Sequence, residues 1–172
     1  HWYDYHLKGV QNGLEQEAPI RIYVMGENVW RDEQEWPLSR AKPTRYYLHS
    51  GGTANTRMGD GKLSDKLPAD EKPDKYVYDP RYPVATYGGH GSGGGGITPD
   101  SAFSINGPMD QRSVQQRSDV LVYSTDVLDS DVEVTGPIEM NLFFSTDVTD
   151  TDFFATLSDV YPDGRAVLIT EG

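Results

Sequence analysis

The nearest approach to a catalytic nucleophile motif lies in a glycine-rich segment. A serine-hydrolase nucleophile sits in Gly-x-Ser-x-Gly, where the flanking glycines permit a strained turn between a strand and a helix that exposes the hydroxyl. Around Ser92 the residues from His90 to Gly94 read HGSGG, so a histidine replaces the first glycine and no apolar strand precedes it. We therefore interpret Ser92 as a loop residue.

The same segment, from Gly88 to Gly96, is almost devoid of side chains that could pack, and we expect it to form a mobile surface loop. Its glycines at positions 89, 91 and 94 satisfy Gly-x-Gly-x-x-Gly. No helix pattern follows that would present its amino terminus to a phosphate, so the sequence does not predict a dinucleotide site.

The histidines do not have the spacing of a metal site. His1 and His6 are five residues apart with no glutamate between them, which does not fit a helical zinc motif. His49 ends a predicted strand and is followed by Ser50, and we expect it to complete a hydrogen bond rather than to act as a base.

Aspartates form two clusters that could supply oxygen ligands to calcium. The first contains Asp126, Asp129 and Asp131, and the second contains Asp147, Asp150 and Asp152. Neither has the spacing of an EF-hand, and aspartate is also an ordinary turn former. The sequence therefore predicts no metal and no cofactor, with the second cluster as a weak calcium candidate.

Two tryptophans follow the first predicted strand closely. Trp30 and Trp36 lie in a segment that we expect to be a loop, and two indoles are unusual in a purely solvated turn. They either pack on the module's own core or on a neighbouring domain, or they line one wall of a substrate cleft. With Asn28 they are the candidate residues for a domain interface or a substrate wall.

Composition limits the possible classes of protein. A chain of 172 residues allows one ordinary domain, and its formal charge of −12 argues against a nucleic-acid partner, which clustered basic residues would hold. No apolar run approaches the roughly 18 to 20 residues of a membrane span. The sequence predicts a soluble protein, cytoplasmic or exported, because the absence of cysteine does not distinguish these compartments.

The elements expected to position these residues are mainly strands. Eleven tyrosines favour strands, and 18 glycines with 11 prolines indicate many turns. A short helix ending at Gly9 opens the chain, and its beginning in mid-helix suggests a cut end. Strands are predicted at Pro19–Gly26, Thr44–His49, Lys75–Tyr78, Val120–Thr125, Val132–Thr135, Ile138–Ser145, Phe153–Val160 and Arg165–Thr170. A turn at 162–164 should join the last two in a hairpin.

Several long strings, in order, resemble one family. The residues from Arg21 to Leu38, from Gly107 to Arg112, and from Asp119 to Pro137 resemble the CocE/NonD hydrolases, which are cocaine-esterase-like and X-Pro dipeptidyl-peptidase-like serine enzymes. The residues from Asp150 to Phe153 and from Asp159 to Arg165 are similar to the closing region of that family.

The resemblance implies an α/β-hydrolase domain with a Ser-Asp-His triad, followed by an all-β, galactose-binding-like jelly-roll sandwich. Residues 1–17 would be the tail of the catalytic domain and a linker, and residues 18–172 the jelly roll, incomplete at its end. The triad histidine of the family precedes the opening helix, so no catalytic residue maps onto this chain. Asp110, Gln111 and Arg112 would form a structural hydrogen-bond network.

The expected partners are the catalytic domain of the same protein and, for that protein, a small ester, amide or peptide substrate. An unpaired sheet edge would also allow a homo-oligomer. Two alternatives are a carbohydrate-binding module and a structural or oligomerisation module. Ring faces of Trp30 and Trp36 open to water would favour sugar binding, whereas their burial on a second domain would favour the hydrolase.

Overall fold

The computed structural model describes residues 1–85, 87–89 and 106–172. Of the expected loop from Gly88 to Gly96, the residues from His90 onward, including Ser92, lie outside these residues. The chain divides into two compact units, one formed by His1–Pro43 with Ser130–Phe144 and the other by Thr44–Asp129 with Ser145–Gly172. Each is described below by itself.

The first unit opens with the predicted helix, α1 (Trp2–Lys8). Gly9 ends it in the left-handed conformation at φ 68°, which a glycine adopts without steric cost, and this confirms the predicted cap. The rings of Trp2 and His6 are 4.2 Å apart, as expected for side chains four residues apart on one face. A short 3-10 helix follows at Leu14–Gln16.

An antiparallel hairpin follows, in which β1 (Ile20–Val24) pairs with β2 (Val29–Glu33). The four-residue turn contains Gly26 at φ 88° and Asn28 at φ 59°, and asparagine is one of the few side-chain-bearing residues that adopt a positive φ readily. The prediction of a loop at Trp30 was therefore wrong. Trp30 lies in β2, because the turn at residues 25–28 reverses the chain directly after β1.

The second unit contains two antiparallel pairs, β3 (Tyr47–His49) with β4 (Lys62–Ser64) and β5 (Thr156–Val160) with β6 (Ala166–Glu171). The last pair confirms the predicted hairpin, since the Tyr161 amide donates to the Arg165 carbonyl at 2.8 Å. A 3-10 helix at Gln111–Gln116 precedes β5 in the chain. The isolated bridge between Asp110 and Val167 joins the start of this helix to β6.

Four of the predicted strands do not form regular strands in the structure, so these predictions were wrong. Residues 75–78, 132–135 and 138–145 form no ladder, and the region 120–125 is reduced to isolated bridges at Leu121 and Ser124. Alternating hydrophobicity indicates which face a strand would bury, but a strand also needs a neighbouring backbone that supplies hydrogen bonds. Residues 138–145 take part in no strand ladder of the described residues, and the side chains of Ile138, Met140 and Leu142 remain exposed.

Regular structure in the described residues is mainly strand, in agreement with the all-β prediction at class level. Few apolar residues of the described part are buried: Val24 and Leu38 in the first unit, and Ala54, Ala166 and Leu168 in the second. The last strand, β6, carries Ala166 and Leu168 on one face, which fits the two-residue period of a strand.

Candidate functional site

The β1–β2 hairpin presents an aromatic pair on its surface. Tyr23 and Trp30 are cross-strand partners, and their ring centroids are 5.2 Å apart in an edge-to-face arrangement. The Arg21 guanidinium lies 5.7 Å from the Trp30 ring centroid, within cation–π range. Trp30 nevertheless keeps 62% of its surface exposed. The register of the hairpin thus creates a platform of two aromatic rings and one cation.

The other two candidates of this group differ in their surroundings. Asn28 stabilises the turn, because its amide donates to the Gly26 carbonyl and its side-chain oxygen accepts from the Tyr23 hydroxyl, both at 3.0 Å. Trp36 lies beyond β2 and is 48% exposed, close in sequence to the buried Leu38. The structure therefore joins Asn28 to the aromatic pair and leaves Trp36 on a separate bend.

An ionic network supports the hairpin from the end of β2. Glu33 is buried and contacts two guanidinium groups, those of Arg40 and Arg31, the latter at 3.0 Å between Nε and Oε1. The hydrogen bond from Arg40 lowers the pKa of Glu33. Arg31 also holds Glu133, and that hydrogen bond lowers the pKa of Glu133 to about 2. This joins the segment 130–144 to the hairpin within the first unit.

In the second unit, Asp110, Gln111 and Arg112 make the contacts that a fixed network requires. Asp110 accepts hydrogen bonds from the Arg112 side chain at 2.8 Å and from the Ala166 amide at 3.2 Å, and the Arg112 contact lowers its pKa to about 2. Gln111 is buried, and its amide donates to the Tyr87 carbonyl at 2.6 Å. These bonds connect the 3-10 helix to β6 and to residue 87.

A Ser-His-Glu arrangement, which was not predicted, lies at the ends of β3 and β4. His49 Nδ1 is 2.8 Å from Glu71 Oε1, and His49 Nε2 is 3.1 Å from Ser64 Oγ. The hydrogen bond to His49 lowers the pKa of Glu71. The three residue types have the order of contacts found in a catalytic triad.

A backbone carbonyl opposes a catalytic role for these residues. The Lys66 oxygen lies 3.0 Å from His49 Nε2, and a carbonyl only accepts hydrogen bonds. A general base needs a free lone pair on Nε2 to take the serine proton. In His49 that lone pair would face the Lys66 carbonyl oxygen, which is itself an acceptor. In addition, Ser64 Oγ accepts a hydrogen bond from the Lys66 amide at 3.3 Å. The geometry suits a polar clamp that ties residues 64–71 to β3.

A carboxylate hub organises the loop after β3. The carboxylate of Asp74 accepts from the Ser50 hydroxyl at 2.6 Å, the Ala54 amide at 2.8 Å and the Tyr123 hydroxyl at 2.6 Å. Burial and the contact with Asp74 raise the pKa of Tyr123. The turn residues around position 51 indicated a loop, but these contacts span up to 49 residues of sequence, which no local pattern reveals.

The aspartate clusters are not assembled as metal sites. Among the described residues, no group of three or more histidine, aspartate or glutamate side chains has the geometry to hold a metal ion. The side chains of Asp147, Asp150 and Asp152 are exposed, and Asp126 instead faces Lys62 at 3.4 Å. Within the described part of the chain there is also no helix of the length and apolarity that crossing a bilayer requires.

Comparison with known proteins identifies relatives along nearly the whole chain. Residues 12–172 match the model of the X-Pro dipeptidyl-peptidase C-terminal non-catalytic domain. The cocaine esterase of Rhodococcus sp. (strain MB1 Bresler) is 44% identical over 171 residues, which cover 99% of this chain and 28% of that protein. Putative serine esterases of Mycobacterium bovis and Mycobacterium tuberculosis are 31% identical over 174 residues, covering 98% of this chain and 24% of each. The chain thus spans about a quarter of the length of these relatives.

Proposed function

Because the chain belongs to the family of X-Pro dipeptidyl-peptidase C-terminal non-catalytic domains, we propose that it is the accessory β-rich part of a serine hydrolase. The catalytic residues would lie in another part of the polypeptide. Residues 1–17 would end the catalytic domain and residues 18–172 would form the accessory domain. The match over residues 12–172 is the observation that carries this proposal.

The activity of the complete protein would be hydrolysis of an ester or amide by acyl transfer. A serine hydroxyl attacks the carbonyl, a histidine transfers the proton, and backbone amides hold the oxyanion. Three relatives are named esterases, which supports this reaction class. The clamp of His49, Ser64 and Glu71 would take no part in this reaction, because the Lys66 carbonyl oxygen faces His49 Nε2.

The accessory domain would be a jelly-roll sandwich of the galactose-binding-like type. The antiparallel pairing of the strands in the described residues supports this fold. So does the alternation of apolar side chains along residues 138–145, where Ile138, Met140 and Leu142 are exposed. A neighbouring strand in the complete polypeptide would bury this face.

The platform of Tyr23 and Trp30 would contact the catalytic domain. Large aromatic rings that remain exposed are an unfavourable surface unless a partner covers them, and the fixed Asn28 turn holds this pair in place. A carbohydrate-binding platform is the second candidate, because the same exposure of Trp30 and Trp36 would suit a sugar ring. Because the chain spans about a quarter of the length of its relatives, exposure of these rings is expected for a domain interface as well as for a sugar site.

Replacing Trp30 by alanine in the complete polypeptide separates these roles. If the platform packs on the catalytic domain, Trp30→Ala lowers the melting temperature by several degrees because apolar contact is lost, and leaves the KM for an ester substrate unchanged. Calorimetry and p-nitrophenyl ester kinetics measure the two effects. Tyr82→Ala, at another exposed aromatic residue, is the matched control and should change neither.

Other results would refute the interface. An increase in KM at a constant melting temperature would place Trp30 in the substrate wall. An unchanged melting temperature and KM, together with loss of retention on a galactan column, would favour the carbohydrate-binding module.

A further inference from the structure

A pocket of about 450 Å³ opens in the second unit beside the 3-10 helix Gln111–Gln116. Such a volume lies within the usual range for small-molecule sites. Its lining combines two guanidinium groups and one carboxylate with hydroxyl and apolar side chains, and includes Arg57, Tyr87, Met109, Asp110, Arg112 and Ser113. None of these residues belongs to the aromatic platform or to the His49 clamp.

Arg57 is the unusual member of this lining. Its side chain is half-buried, and its guanidinium donates a hydrogen bond to the Gly164 carbonyl at 3.3 Å. No carboxylate of the described residues forms an ion pair with it, although the protein has a net charge of −12. A guanidinium gains most from a planar oxyanion that accepts two parallel hydrogen bonds. A partly desolvated guanidinium that faces a pocket therefore has unused capacity for an anion.

The backbone that presents Arg57 is strained. Thr56 has φ 66°, a left-handed conformation that is rare for a β-branched residue and costs about 1 to 3 kcal/mol. Hydrogen bonds hold it there, from the Thr56 amide to the Val120 carbonyl at 2.9 Å and from the Arg57 amide to the Gln115 carbonyl at 2.6 Å. The surrounding structure thus fixes the direction in which the chain leaves Thr56.

The net charge of the pocket lining suits a ligand that carries one negative charge. Arg112 is already paired with Asp110 through Oδ2 at 2.7 Å, so these two residues are neutral together and Arg57 contributes a net charge of +1. Asp163 also acts electrostatically on Arg112, but it is paired with Arg165 at 2.7 Å. Tyr87 and Met109 add surface that suits an organic body rather than a bare inorganic ion.

We propose that this pocket binds a small organic monocarboxylate, with the Arg57 guanidinium holding the carboxylate and the Ser113 hydroxyl donating a further hydrogen bond. Tyr87 and Met109 contact the organic part of the ligand. All of these residues belong to this chain, so the binding would occur whether or not the complete polypeptide is a hydrolase.

Calorimetric titration of the complete polypeptide with benzoate tests the site. Any nucleophilic serine is first blocked with a fluorophosphonate, so that binding at a catalytic centre is excluded. We expect a dissociation constant of roughly 1 mM. Arg57→Gln should weaken binding about tenfold or more, because a charge-assisted hydrogen bond is lost. Ser113→Ala, at an exposed position that does not threaten folding, should weaken it about threefold.

Two controls keep the result interpretable. Arg81→Gln removes an exposed arginine outside the pocket and should leave benzoate binding unchanged, and Arg57→Lys should weaken it less than Arg57→Gln. Circular dichroism checks that each variant is folded. The proposal is overturned if benzoate does not bind, if folded Arg57→Gln and Ser113→Ala bind it as tightly as the natural protein, or if inorganic phosphate binds these residues more tightly than benzoate.

Discussion

Replacing Gly61 by alanine should destabilise the second unit by about 3 kcal/mol or more. A Cβ at this position would lie 2.0 Å from the Val122 carbonyl oxygen and 2.9 Å from the Ala54 Cβ. The Val122 group belongs to the backbone, and its own amide donates to the Ala54 carbonyl at 2.9 Å, so it cannot move without breaking that bond. Hydrogen exchange of peptides covering residues 53–64 and 118–125 would measure the local loss of stability.

The control for this substitution is Gly172→Ala. A Cβ there meets no atom within 4 Å, and its φ is not in the left-handed region, so exchange in the same peptides should be unchanged. Equal protection in Gly61→Ala and in the natural protein would show that residue 61 does not lie against the segment at residue 122.

Replacing Asp74 by alanine should cost about 2 to 4 kcal/mol. Three donors lose their acceptor at once: the Ser50 hydroxyl, the Ala54 amide and the Tyr123 hydroxyl. Ala54 is fully buried, so water cannot replace the carboxylate at its amide without opening the loop. Urea unfolding of the purified protein would give the change in stability.

Asp126→Ala is the matched control, because it removes a carboxylate that is almost fully exposed and whose ion pair among the described residues is with Lys62, at 3.4 Å. Its effect should lie within about 0.5 kcal/mol. If Asp74→Ala is no more destabilising than Asp126→Ala, then Asp74 does not organise the loop. The variant Asp74→Asn, which keeps one acceptor oxygen, should lie between the two.

The local parts of the fold could be predicted from the sequence. The cap at Gly9, the strand at Ile20–Val24 and the closing hairpin around Gly164 depend on residues within one turn or one period of each other. β2 was missed because its start is set by the turn conformations of Gly26 and Asn28, not by alternating hydrophobicity. Residues 138–145 were predicted to form a strand because apolar side chains alternate along them, but they take part in no strand ladder of the described residues.

The candidate sites show the same division. Trp30 and the residues from Asp110 to Arg112 could be selected by type, but their partners could not. Tyr23 reaches Trp30 only through the hairpin register. The Asp74 hub and the Arg57 pocket join segments that are up to about a hundred residues apart, and sequence spacing carries no information about such contacts.

The most direct test of the central claim is to locate the serine that reacts with a fluorophosphonate in the complete polypeptide. The labelled protein is digested and the modified peptide is identified by mass spectrometry. Our account predicts stoichiometric labelling of one serine outside these 172 residues and none at Ser64. Labelling of Ser64, or of any other serine in this chain, would contradict the claim that this part of the protein is non-catalytic.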